Sequence, residues 1–259
     1  REEAFRTGNE LQRSIAGLES RLMVLEETEA ALEGYFAGVK AVMRGQEDGD
    51  IQGRFDVFAD IIRVPQDYET AIEVALGASL QDIVTDTERN AKAAIRWLNE
   101  TRSGRATFLP LDELRDVAVP DTLRLAGRQH TGVLGSAADL VEYDSDVAVA
   151  VRMHLARVLV VDDLDTATNV SRKIGRDWAR IVTLGGEVVV PTGAITGGRA
   201  GKQGPNLLAR KREIAELGER LDVSLKRLDA ARASVERLAA EEGTLRGQLA
   251  KVEAQQRAL

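Results

Sequence analysis

The sequence predicts a mixed α/β globular domain of two subdomains, flanked by an intramolecular antiparallel coiled coil. Three observations predict it. Apolar residues repeat in heptads at both ends of the chain, the heptad disappears over residues 37–199, and that middle stretch alternates short β-branched runs with amphipathic segments. The expected organisation is an N-terminal arm over 1–36, a globular domain over 37–199, and a basic junction with a C-terminal arm over 200–259. Within the globular domain, one subdomain covers about 37–110 and the other about 132–199.

The N-terminal arm is read from Leu11, Ile15, Leu18, Leu22, Leu25, Glu29, Leu32 and Phe36, which alternate by four and three residues. The C-terminal arm is longer: from Leu207 the same stepping passes through Ile214, Leu217, Leu221, Leu228, Val235, Leu238, Leu245, Leu249 and Val252 without a proline. A lone helix of this kind needs a partner along its narrow apolar stripe. Two such segments bracketing one domain satisfy each other by folding back antiparallel. At about 1.5 Å per residue the arms span roughly 50 and 80 Å, so residues beyond about 240 are expected to lack an intramolecular partner.

Between the arms, Phe55–Val64 reads as a strand stopped by Pro65, and Tyr68–Leu76 as a short helix ended by Gly77. Leu80–Val84 is an apolar strand, Glu88–Arg102 a helix, and Arg105–Leu109 a strand halted at Pro110. Residues 111–131, charged and containing Pro120, read as a weakly structured divider. The second half repeats the alternation: a strand around Ala138–Val141, a helix Asp146–Arg157, a strand Val158–Val161, a helix Asp165–Ile174 and a strand Ile181–Leu184. A hairpin follows, from Glu187–Val190 to Ala194–Thr196.

Charge and composition narrow the function. The 259 residues carry a net charge of −7, yet residues 200–212 hold four cations and no carboxylate. A local anion contact there is compatible with the pattern; bulk nucleic-acid binding is not. With no cysteine there is no disulfide and no thiolate metal site, which fits a reducing cytoplasm. No stretch is apolar enough to span a membrane. The opening Arg1-Glu2-Glu3 has neither an initiator Met nor a signal peptide, so the chain is expected to be a piece of a longer protein.

Searches for catalytic motifs fail for stated reasons. In Gly197-Gly198-Arg199-Ala200-Gly201-Lys202-Gln203, a phosphate-binding loop would need glycine where Thr196 stands and Ser or Thr where Gln203 stands. His130 and His154 are far apart in sequence and fit no metal-binding spacing. Asp162, Asp163 and Asp165 follow a strand, as Mg²⁺ ligands often do, but an aspartate capping the next helix is the simpler reading. Glycines at 193, 197 and 198 interrupt β-branched residues, which suits either tight turns or a place where another backbone packs closely.

These segments resemble the hinge of structural maintenance of chromosomes (SMC) proteins, specifically the bacterial kind. The resemblance is carried by Gly38-Val39-Lys40-Ala41, Ala71–Val84, Gly132–Val141, Val158–Ala167 and the closing stretch 182–198, with coils on both sides. It departs from the family pattern at Thr192, where many members have glycine, and at Gly185, where an acidic residue is usual. The resemblance implies a homodimerisation hinge that joins two folded-back chains into a V or ring able to entrap DNA. It implies that the first subdomain of one chain meets the second of the other, with Gly193, Gly197 and Gly198 at the contact and Thr192 a doubtful member. It also implies candidate DNA contacts at Arg199, Lys202, Arg210, Lys211 and Arg212, where hinge meets coil. ATP and Mg²⁺ would belong to head domains outside this stretch, kleisin-type subunits would bind elsewhere, and the fragment itself would hold no cofactor and catalyse nothing. The protein would be cytoplasmic and nucleoid-associated. Zinc-hook repair ATPases share long coils but close them through Cys-x-x-Cys, which this chain lacks.

Overall fold

A computed structural model of the chain describes residues 2–198 and 207–257. They form two compact units: one from the two ends, up to Ala31 and from Glu213, and one spanning Leu32–Arg212.

The first unit pairs helix α1 (Glu2–Ala30) with the greater part of helix α8 (Leu207–Arg257). Arg21 Nε donates to Glu213 Oε1 at 2.9 Å, joining the last third of α1 to the start of this stretch of α8, so the helices run antiparallel. Ile15, Leu217 and Leu228 are buried along the seam, and Leu11, Leu18, Leu22, Leu25, Leu221 and Val235 are half-buried. The seam ends where the arms differ in length. Leu245, Leu249 and Val252 are 64%, 60% and 51% exposed, as the overhang predicts.

Sequence periodicity carries the N-terminal arm to Phe36, but α1 ends at Ala30. Leu32 (φ 53°) and Gly34 (φ 88°) take left-handed conformations that turn the chain, and Phe36 is exposed. Helix α2 (Ala37–Glu47), unforeseen in the sequence, follows at once.

In the second unit, eight strands among the described residues make two sheets. The first holds β1 (Phe55–Val57), β2 (Ile83–Thr85) and β3 (Phe108–Pro110), with β1 antiparallel and β3 parallel to β2. The second holds β4 (Val133–Ser136), β5 (Val158–Val161), β6 (Arg180–Thr183), β7 (Val188–Val189) and β8 (Ile195–Thr196) in that order. Its β4 is antiparallel and its β6 parallel to β5, with β7 and β8 added antiparallel.

Helices α3 (Glu69–Leu76) and α4 (Glu88–Thr101) flank β2, just as α6 (Ala148–Leu155) and α7 (Leu164–Ser171) flank β5. Helix α5 (Asp121–Gln129) stands before β4 as α2 stands before β1. The two subdomains therefore follow one plan, and the second adds the β7–β8 hairpin.

Several expectations need correction. The strand predicted over Phe55–Val64 stops at Val57, because a 3₁₀ turn over Phe58–Asp60 buries both Phe58 and Ala59, which strict alternation cannot do. The strand expected at Ala138–Val141 lies earlier, at Val133–Ser136, followed by the matching 3₁₀ turn Ala137–Asp139. The strand expected over Arg105–Leu109 begins only at Phe108 and ends at Pro110, after which Leu111 N–H donates to Thr85 O at 2.9 Å. The divider 111–131 contains α5, held by buried Leu123 and Ala126.

One hydrophobic cluster runs through both subdomains, including Phe55, Phe58, Ile72, Ile83, Leu123, Leu155, Leu159 and Ile181, and takes in Leu207 and Leu208 from the first turn of α8. Polar links cross the same boundary. Arg63 and Glu142 exchange backbone bonds at 2.8 and 2.9 Å, Arg54 Nη1 reaches Asp146 Oδ2 at 2.8 Å, and His154 Nε2 lies 3.0 Å from Asp82 Oδ2.

Candidate self-association edge

The β7–β8 hairpin is built by its turn. Gly193 N–H donates to Val190 O at 2.8 Å across Pro191-Thr192, and Val190 N–H donates to Ala194 O at 3.1 Å. Proline at the second turn position and Gly193 at φ 89° suit a three-residue hairpin loop whose last residue is left-handed. Gly193 therefore has a local reason to be glycine, and Thr192 occupies an exposed turn position.

The pairing Val189↔Ile195 and Val188↔Thr196, together with the Val190–Ala194 bond, fixes which groups face outward. Thr196 turns its N–H and C=O toward β7. Those of Ile195 point away from the sheet, where no described strand pairs with β8. The Ile195 side chain is 52% exposed, and every residue from Pro191 to Gly198 is exposed. Beside this edge a groove of about 540 Å³ is lined by Ser171, Arg172, Ile174, Trp178, Val190 and Ile195.

The neighbouring glycines differ in kind. Gly198, at φ 111°, has open space where a Cβ would stand. A Cβ on Gly197 would come 3.0 Å from Glu187 Cγ, and one on Gly185 would come 2.8 Å from Glu187 Oε2. Both leave room for the Glu187 side chain, whose carboxylate accepts from the buried Thr183 hydroxyl. The absence of an acidic residue at 185 thus goes with Glu187 filling that space.

The first sheet also has an open side. Ile83 N–H donates to Thr107 O at 2.8 Å and Leu111 N–H to Thr85 O, so the N–H and C=O of Phe108 face away from β2. In the second sheet β7 covers the equivalent side of β6, whereas no described strand covers β3.

Residues 51–171 match the family described as SMC proteins Flexible Hinge Domain. The hinge of Geobacillus stearothermophilus SMC, crystallised as an asymmetric dimer, is 35% identical, with a TM-score of 0.82 over 92% of this chain and 96% of that one. The chain is an SMC hinge domain. Chromosome partition protein Smc of Desulfitobacterium hafniense is 41% identical over 218 residues, and that of Bacillus subtilis 39% over 203. The hinge chain spans 18% and 17% of those two proteins while 82% and 78% of it is covered.

The candidate DNA contacts fall into two groups. Arg199 and Lys202 lie outside the described residues. Arg210, Lys211 and Arg212 open α8 and are engaged with the hinge. Arg210 Nη1 donates to Glu33 O at 3.1 Å, Lys211 pairs with Asp60, and both cations lie 6.0 Å from the centre of the buried Tyr35 ring. Arg212 pairs with Glu69, which is 8% exposed. Asp163, in the acidic run, caps α7: its Oδ1 accepts from Thr166 N–H at 2.8 Å, and that backbone bond holds its carboxyl below the usual range.

Gln81 has a role that sequence reading missed. Its side chain accepts from Phe36 N–H at 2.6 Å and donates to Gly34 O at 3.1 Å, fixing the turn that leads into α2. Only its place in an apolar run hinted at this. Ile195 was legible as a lone apolar residue in a Gly/Thr stretch, but its outward direction needed the register.

Proposed function

We propose that this hinge joins two copies of the chain through two equivalent contacts, each setting β8 of one copy against β3 of the other. The open, outward-facing backbone of Ile195 on β8 carries this reading. An edge strand with free N–H and C=O groups and an apolar side chain is a template for strand addition. Gly193, Gly197 and Gly198 let the partner's backbone approach, and two equivalent contacts close a two-fold assembly. In the full-length protein such a hinge would link folded-back coiled-coil chains into a V or ring that entraps DNA during chromosome condensation and segregation. ATP hydrolysis and kleisin-type subunits would reside away from the hinge, in a nucleoid-associated cytoplasmic complex. The hinge would set connectivity, with catalysis placed outside it.

The chain's lack of cysteine makes the test direct. Thr107→Cys and Ile195→Cys chains, mixed and treated with a short bis-thiol reagent, should give a two-chain product that neither variant gives alone. Absence of that mixed product refutes the edge pairing.

DNA contact at the start of α8 is a second reading, favoured by the clustering of Arg210, Lys211 and Arg212. Phosphates would have to displace Asp60 and Glu69, so binding should be weak. Three to five contacts would make log affinity fall with log salt at a slope of roughly −2.7 to −4.5; a slope near zero dismisses the reading.

A further inference from the structure

We propose that α3 couples the start of the C-terminal helix to the β7–β8 edge, with Glu69 as the positioning residue; the second half of this coupling rests on the self-association reading above. Glu69 is the first residue of α3 and takes Arg212 bidentately, Nε to Oε1 and Nη2 to Oε2. The next residue, Thr70, and Val74 one turn later put their methyl groups 3.3 Å from where a Cβ on Gly186 would stand. Gly186, at φ 90°, is the turn between β6 and β7. At the other end of α3, Ala75 O accepts from Arg180 Nη1 on β6 at 2.6 Å. One short helix thus holds Arg212 of α8 at its first residue and seats the base of the hairpin along its side.

Physical coupling needs an unbroken path of packed groups and an element with two arrangements. The path runs from Arg212 to Glu69, through Thr70 and Val74 to Gly186, and along β7 to β8. Ala71, Ile72, Ala75 and Leu76 are buried on the inner face of α3, so a displacement at one end is passed along the packed helix as a whole. The two arrangements are Arg212 of α8 clasped to Glu69 or released from it. Release strips the 8%-exposed Glu69 of its guanidinium partner beside the half-buried Glu73 one turn away, so α3 must shift to hydrate it. Coupling is reciprocal: occupation of the edge by a partner strand should tighten the clasp.

Glu69→Gln and Arg212→Gln, each made in the whole 259-residue chain, test this by amide exchange at a concentration too low for dimers. Both variants should speed exchange at residues 208–216 and, in the same samples, at Val188–Val190 by about tenfold. Adding Val74→Ala should keep the first effect and abolish the second. The dimer dissociation constant should rise by about 2- to 30-fold in each single variant. Faster exchange at 208–216 with an unchanged hairpin overturns the coupling. A loosened hairpin with an unchanged dissociation constant upholds it and instead refutes the edge as the self-association surface.

Discussion

Gly38→Ala probes the closest backbone approach in the hinge. A Cβ at this position, near the start of α2, would stand 2.2 Å from Arg105 O, 2.4 Å from Arg105 C and 2.7 Å from Arg105 N. All three are backbone atoms, so no rotamer change relieves the clash. The opposing side is equally tight: Gly104, at φ 99°, would place a Cβ 2.9 Å from Gly38 N. Restoring ordinary contact requires the 102–107 segment to move by about 1 Å, and overpacking of this kind costs about 1–3 kcal/mol. Backbone against backbone belongs at the upper end, and alanine's better helix propensity returns at most about 1 kcal/mol. A net loss of about 2 kcal/mol lowers the melting temperature by about 4–8 °C in a chain of this size. The assay is thermal unfolding by circular dichroism, with Gly17→Ala as control, since open space surrounds its Cβ within α1. A Gly38→Ala chain that melts at or above the parent would refute the reasoning.

Gln81→Leu should cost about 1–2 kcal/mol in denaturant unfolding, because it strips partners from Phe36 N–H and Gly34 O while keeping the buried volume. Burial, with Glu69 adding repulsion, pushes the Glu73 carboxyl above its usual range. A raised carboxyl contributes stability fully present below its unfolded value and lost as pH rises through the folded one. Glu73→Gln should therefore raise the melting temperature at pH 7, with the gain vanishing at about pH 4 and below, as calorimetry at both would show. Asp163→Ala should lower the melting temperature through loss of the α7 cap, with no dependence on added Mg²⁺ in parent or variant; a Mg²⁺-dependent shift would favour metal binding at Asp162–Asp165 instead.

Those costs track what a linear reading can and cannot see. The arms were legible because a seven-residue repeat persists over many turns, and the described part of α8 follows that repeat from Leu207 on. Helix α4, expected over Glu88–Arg102, runs Glu88–Thr101; the structure adds that Thr87 caps Asn90 N–H and that Arg102 takes the left-handed position that ends it. Strand β5 announced itself as Val158–Val161, apolar at every position because both faces are covered. Helix α5 escaped because it is nine residues long and lies in a charged stretch bounded by Pro110 and Pro120. Helix α2 escaped because two of its four buried residues, Gly38 and Gly45, are glycines, which read as poor helix formers. The 3₁₀ turns after β1 and β4 masqueraded as strand because their residues are apolar. At the site, the glycines were visible but their separate reasons were not. Gly193 answers to a turn, Gly197 to Glu187, and the outward face of Ile195 to a register set by Val190 and Ala194. Glu69 and Arg212 are 143 residues apart, a separation at which sequence gives no sign of contact.

The central claim is that this hinge holds two chains together, and solution mass tests it most directly. Light scattering on the chain at micromolar concentration should give twice 28.2 kDa. A Gly197→Glu, Gly198→Glu chain should give a single copy with its helical signal retained. A parent that stays at one copy would contradict the account and leave the glycines as turn formers alone.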